Sequence, residues 1–152
     1  MAGVKGSGLV QAQGFKLVQD PYSLNEYVAV KAVEPDWALI HVEKADREGN
    51  AVMWGSKYDD VLLAKASKKV IITCEQVVAT EELQTRPEGT DIPGFLVQAV
   101  VEAPRGAWPC SCGQTYPFDS DFFQAYLTAA GSDQAYAKLM SQVLSGERGP
   151  VQ

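Results

Sequence analysis

Apolar residues in this chain gather into short runs: "EYVAVKAV" at 26–33, "WALIHV" at 37–42, "VIITC" at 70–74 and "GFLVQAVV" at 94–101. Each run is rich in β-branched and aromatic residues and is bounded by proline, glycine or charged residues, the pattern of β-strands. "VIITC" is continuous rather than alternating, which predicts a strand buried on both faces of a parallel sheet. Between the second and third runs lies "SKYDDVLLAKASKK". There Ser56 offers an N-cap, Asp59 follows three residues on, and Asp60 suits the positive end of a helix. Val61, Leu62, Lys65 and Ala66 continue one helical face, so the spacing predicts a helix that Ser56 caps and that ends near Lys68 or Lys69. Strand, helix and strand make a βαβ unit with a right-handed crossover.

After the fourth run, "APRGAWPCSCGQTYPFD" carries three prolines and two glycines in a loop that is long for a compact domain. Asp119 then caps a helix bearing Phe122, Phe123, Tyr126 and Leu127, Gly131 closes it, and Ser132 opens a second helix with Tyr136, Leu139, Met140 and Val143. This aromatic and methionine stripe has the spacing of core or interface. The expected fold class is therefore α/β, an open and mostly parallel sheet flanked by helices. Residues 1–152 are expected to form a single domain, with a flexible start over 1–13, a C-terminal helix within 129–146 and a frayed tail over 147–152.

Between "WALIHV" and the helix, the segment "EKADREGN" leaves its strand at the end where ligands of open α/β sheets gather. Gly49-Asn50 equally satisfies a tight turn with positive φ, and Asp46 has the short carboxylate that bonds backbone amides in such turns. Local physics leaves the two readings open. His41, the one histidine of the chain, lies inside the apolar run and reads as a satisfied core residue ahead of a catalytic base. Cys74, Cys110 and Cys112 are too few and too odd in number for a disulfide framework. A structural zinc would have to combine C-x-C at 110–112 with distant Cys74 and His41, so no metal is expected.

With 152 residues, 46% of them apolar, the chain can enclose one ordinary core. A net charge of -6, with no basic block larger than "KASKK", argues against nucleic acid or an anionic membrane as partner. No apolar run reaches the roughly 20 residues of a membrane span, and the opening "MAGVKGSGLVQ" lacks a signal peptide's apolar middle, so a cytoplasmic location is expected.

The succession "EPDWALIHVEKADREGNAVMWG", "AKASKKVIITCEQVV" and "DIPGFLVQAVVEAPRGAWPCSCGQTYPFD" resembles the C-terminal half of the alpha (A) subunit of family I CoA-transferases of the glutaconate CoA-transferase type. "DPYS" at 20–23 resembles the segment leading into that half, and the similarity extends over about residues 14–128. The resemblance implies a heteromeric enzyme that moves CoA between an acyl-CoA and a carboxylic acid, with a dicarboxylic or 3-oxo acyl group. Coenzyme A is then a substrate, and no cofactor is tightly bound. The beta (B) subunit is the implied partner and carries the catalytic glutamate, so this chain has no catalytic residue and is inactive alone. Glu75 in "TCEQVV" is read as a regular feature of the fold.

Family alpha subunits open with a strand and a loop of the Gly-Gly-Phe-Gly kind, which nothing before Gly14 provides. The chain is thus expected to begin partway through the alpha subunit. Its contribution would be scaffold, subunit interface and part of the acyl or CoA pocket, with Asp46, Arg47, Gly49, Asn50, Trp108, Cys110 and Tyr116 as candidates. Each has a second reading as a turn or packing residue. Two alternatives accompany this one: a CoA-dependent hydrolase or ring-opening subunit on the same scaffold, and a non-catalytic α/β interaction module.

Overall fold

A computed structural model describes residues 4–85 and 89–149. The chain divides into two compact units, Met1–Glu34 and Pro35–Gln152. The first unit holds a short helix α1 (Leu9–Ala12) and an antiparallel hairpin of β1 (Lys16–Gln19) and β2 (Glu26–Ala29). Strand β2 stops at Ala29, so only half of the run 26–33 is extended pairing. Its turn is closed by Asp20, whose carboxylate accepts the Tyr22 amide and the Ser23 hydroxyl. Of the expected flexible start and frayed tail, residues 1–3 and 150–152 lie outside the described residues.

The second unit is built on a four-stranded sheet in the order β4-β3-β5-β6. Its strands are β3 (Ala38–Asp46), β4 (Ala51–Val52), β5 (Val70–Val78) and β6 (Val97–Glu102). β3, β5 and β6 run parallel, and β4 returns antiparallel to β3 after the Gly49 turn. This is the mostly parallel α/β sheet that the apolar runs predict. Helix α2 (Asp60–Ala66) crosses from β4 to β5, and α3 (Thr80–Gln84) follows β5. Helices α4 (Ser120–Ala129) and α5 (Asp133–Leu144) close the chain, with Asp119 accepting the Phe122 amide and Ser132 the Ala135 amide as expected caps.

Ser56 does not cap α2. Tyr58 sits at φ +39°, a left-handed turn that a helix cannot contain, so the helix starts two residues later behind Asp59. Lys57 is held by Asp91 in an ion pair, which fixes the approach to that turn. At the other end Ser67 turns extended and returns its hydroxyl to Leu63 O, ending α2 before Lys68.

The parallel register sets Ile40 beside Ile72 and Ile72 beside Val100, one continuous row on the inner face. Val42, Cys74, Met53 and Ile92 extend this core, and α2 lays Val61, Leu63 and Ala64 on it, leaving Leu62 in solvent. β5 is buried on this face alone. Because side chains alternate across a strand, His41, Glu43, Thr73 and Glu75 point to the opposite, outer face. The long loop 103–119 folds back over part of that face.

Candidate functional site

Glu75 is the centre of the outer face. Its Oε1 accepts from His41 Nε2 at 2.7 Å and from the Tyr116 hydroxyl at 2.6 Å, and its Oε2 accepts the Arg105 backbone amide at 2.5 Å. The Cys112 sulfur lies within 4.8 Å of the nearest ligand atoms of Glu75 and His41. The Tyr116 oxygen in turn accepts the Ala107 amide at 3.0 Å, and the Arg105 guanidinium lies 4.7 Å from the Tyr116 ring centroid. His41 Nδ1 pairs with the Thr73 hydroxyl at 2.8 Å, across the register neighbours His41 and Thr73. His41 is therefore satisfied at both ring nitrogens, as the sequence suggests, and it is satisfied by a polar hub.

The electrostatics follow from these contacts. Burial pushes the Glu75 carboxyl up, but the donors from Tyr116, the Arg105 amide and His41 outweigh it, and the group titrates below the ordinary glutamate value. Burial, aided by Glu43 and Glu75, pushes the Cys112 thiol up to about 11. Burial and the Glu75 carboxylate likewise push the Tyr116 phenol well up. At neutral pH the hub thus holds an ionised glutamate surrounded by protonated donors.

Gly113 fits this arrangement for a steric reason. It adopts φ +41°, and a Cβ there would collide with Glu43 Oε1. Glu43 is buried, with its other oxygen accepting the Trp54 amide at 3.1 Å. The loop tip is seated on a carboxylate.

The residues singled out from sequence fall in several places. Gly49 takes φ +89°, and a Cβ would lie 2.8 Å from Val97 Cβ, so the turn needs glycine both for conformation and for space. Asp46 is fully buried and spends both oxygens on Asn50, at 2.9 Å from its amide and 2.9 Å from its side-chain nitrogen. Burial raises the Asp46 carboxyl, but the Asn50 bonds outweigh it and hold it low. Asn50 Oδ1 also accepts the Gly94 amide at 3.0 Å. Arg47 and Gly49 do come together, with Val77, Val97 and Glu102, around a cavity of about 370 Å³ that runs along β6.

In the loop, Tyr116 reaches the hub, whereas Trp108 and Cys110 do not contribute to it. Trp108 donates Nε1 to Asp119 at 2.9 Å and meets Phe122 edge-on at 4.7 Å, docking the loop on α4. Cys110 is exposed. Sequence reasoning missed Glu43, Thr73, Glu75 and Cys112 as parts of one cluster. The available signal was polar residues at alternate positions inside apolar runs, which marks a face that is covered without being greasy.

A model of the coenzyme A transferase family matches residues 14–103. The chain belongs to that family. Its sequence is 41% identical over 113 residues to the A-type subunit of glutaconate CoA-transferase from Acidaminococcus fermentans, covering 74% of this chain and 35% of that protein. It is 35% identical to a cholesterol ring-cleaving hydrolase IpdA subunit of Rhodococcus jostii, covering 82% of this chain and 44% of that one. The crystal structure of glutaconate coenzyme A-transferase from Acidaminococcus fermentans superposes with a TM-score of 0.77 at 35% identity, over 84% of this chain and 41% of the other. This CoA-transferase chain thus spans a third to a half of the length of these relatives. Among its described residues no helix is long and apolar enough to cross a membrane.

Proposed function

We propose that this chain is part of the alpha subunit of a heteromeric CoA-transferase, acting on a dicarboxylic or 3-oxo acyl-CoA and a carboxylic acid acceptor. In such chemistry a carboxylate attacks the thioester carbonyl and expels CoA as thiolate. The thiolate then attacks the resulting anhydride to give an enzyme glutamyl-CoA thioester, and the acceptor carboxylate finally collects CoA. The observation that carries the reading is the state of Glu75. It is the glutamate best placed to attract suspicion, within a parallel strand beneath a long loop. Yet donors occupy both of its oxygens, and an oxygen so engaged is neither free nor basic enough to attack a thioester.

The nucleophile then belongs to a partner beta subunit, and this chain supplies scaffold and pocket wall. Arg47 and Gly49, at the cavity along β6, are the pocket residues this geometry favours. Arg47 offers a cation to an acyl carboxylate or a CoA phosphate. Asp46 and Asn50 hold the turn that presents them, and Trp108 with Tyr116 anchors the loop.

The test is chemical trapping. The isolated chain, given acyl-CoA and then borohydride, should yield no reduced glutamyl residue by mass spectrometry. The same treatment of a complex with a beta subunit and the rest of the alpha subunit should mark a glutamate of the partner. Reduction at Glu75 would overturn the assignment. The IpdA relative supports a second reading, a hydrolase or ring-opening subunit on this scaffold. CoA release that needs no carboxylic acid acceptor would favour it.

A further inference from the structure

His41, Glu75 and Cys112 bring an imidazole nitrogen, a carboxylate oxygen and a thiol sulfur within 4.8 Å of one another. We infer that these three side chains form a binding site for a zinc-class divalent cation, coordinated through His41 Nε2, a Glu75 oxygen and the Cys112 thiolate. The inference does not rest on the CoA-transfer reading.

The donor set selects the cation. One nitrogen, one oxygen and one sulfur suit zinc or cobalt, whereas magnesium and calcium take oxygen ligands. Three protein ligands would leave a fourth tetrahedral position, and two of the three, His41 and Cys112, line a cavity of about 180 Å³ with Glu43, Met53, Trp54 and Gly113. The supporting groups are those a metal site requires. A ligating histidine is oriented by a hydrogen bond at its other nitrogen, and Thr73 Oγ1 stands 2.8 Å from His41 Nδ1. A ligating carboxylate is held by outer donors, and the Arg105 amide and Tyr116 hydroxyl hold Glu75. The ligands come from neighbouring parallel strands and from a loop segment closed by the Cys112–Tyr116 bridge.

Charge points the same way. Buried Glu43 and partly buried Glu75 place two carboxylates at one locus, and among the described residues neither forms an ion pair with a lysine or arginine, the partner of Glu75 being His41 itself. Buried charges are paired or coordinate metals. A dication with the Cys112 thiolate and the Glu75 carboxylate makes a neutral group.

Closing the site needs the thiol sulfur, which lies within 4.8 Å of the other two ligand atoms, to come to roughly 3.5 Å from them, and the imidazole and carboxylate to part slightly. His41 Nε2 and Glu75 Oε1 are 2.7 Å apart. Two bonds of about 2.0–2.1 Å at a tetrahedral angle need roughly 3.3 Å between their donors, so the pair must open by about half an ångström. The proton balance is also defined. The Cys112 thiol proton leaves to solvent, the Nε2 proton of a neutral ring is replaced at Nδ1, and the Thr73 hydroxyl switches from donor to acceptor. One proton is released per cation.

Because the chain has a single histidine, the test needs no mutation. Chelator-treated, tag-free protein is titrated with zinc while the carbon-bound ring protons of His41 are followed by NMR. The inference expects a shift that saturates at one equivalent, and unmoved ring signals overturn it. Cobalt provides the second readout, a thiolate-to-metal charge-transfer band displaced by zinc. The band should be lost in Cys112→Ser and kept in Cys110→Ser. A band that survives Cys112→Ser, or no band in the unmodified protein, refutes the site. Thr73→Val keeps all three ligands and should weaken zinc binding roughly 10- to 100-fold. Unchanged affinity there would refute the outer-shell assignment.

Discussion

On the inner face of the sheet, Ile40, Ile72 and Val100 form a row that meets α2, and nothing in that contact depends on direction. One residue along, on the outer face, His41, Thr73 and Glu75 meet the loop 103–119 through hydrogen bonds with defined donors and acceptors. The same strands therefore obey two kinds of physics. Apolar packing scales with buried area and forgives a change of shape that keeps volume. The hub forgives changes of volume poorly and changes of polarity not at all, because each group removed leaves another buried group unpaired. Stability should reside on the first face, and the conformation of the loop on the second.

The largest effect that would test this division is Ile72→Ala, which empties a fully buried position at the centre of the inner row. It should cost about 2–5 kcal/mol in a urea melt, with the whole second unit losing cooperativity together. Glu75→Gln should cost less, about 1–3 kcal/mol, since it leaves at least one buried donor unpaired. Its signature should be local. Amides of 103–119 should lose hydrogen-exchange protection while those of β3 and β5 keep theirs. Equal loss along the strands would erase the distinction between the faces.

Acid gives a graded version of the same experiment. Glu75 and Asp46 both titrate below their ordinary values in the folded chain, so the unfolded chain binds more protons in that range. Their stabilisation is fully present above the ordinary carboxylate values and is lost as pH falls through the lowered folded values. Melting temperature should therefore decline on acidification below about pH 5, and Glu75→Gln should flatten that decline. A profile indifferent to Glu75 would mean that its hydrogen bonds contribute nothing net.

The smallest effects compare two serine- or aspartate-led helix starts. Asp119→Ala removes a cap and the partner of Trp108 Nε1, and should cost about 0.5–2 kcal/mol. Ser56→Ala, at the position that caps nothing, should stay within about 0.5 kcal/mol of the parent by thermal melt.

These two starts also show where sequence sufficed. Asp119 and Ser132 were legible because a cap is a local event, settled within three residues. Ser56 offered an equally local signal and does not cap, because Tyr58 is left-handed and Lys57 is paired with Asp91 from a distant segment. Strands β2, β3, β5 and β6 were legible from composition, and so was the Gly49 turn, whereas β1 and β4 were not. The hub was not. Joining His41 to Glu75 and Cys112 needs the parallel register and the return of a proline-rich loop, and neither leaves a mark on neighbouring positions.

Asn50 carries one more consequence, for the protein's chemical lifetime. Its side chain bonds Asp46 with its nitrogen and the Gly94 amide with its oxygen, fastening a turn to the start of β6. Asparagine ages by deamidation, which replaces that nitrogen with a charged oxygen. At Asn50 the product would set a second carboxylate against the buried Asp46 at the same distance where a hydrogen bond had been. The bonds that hold the amide also keep it from the backbone nitrogen it must meet to deamidate. Damage there should therefore follow unfolding and then block refolding, so that repeated heating of the chain would accumulate an irreversible fraction one dalton heavier at this residue.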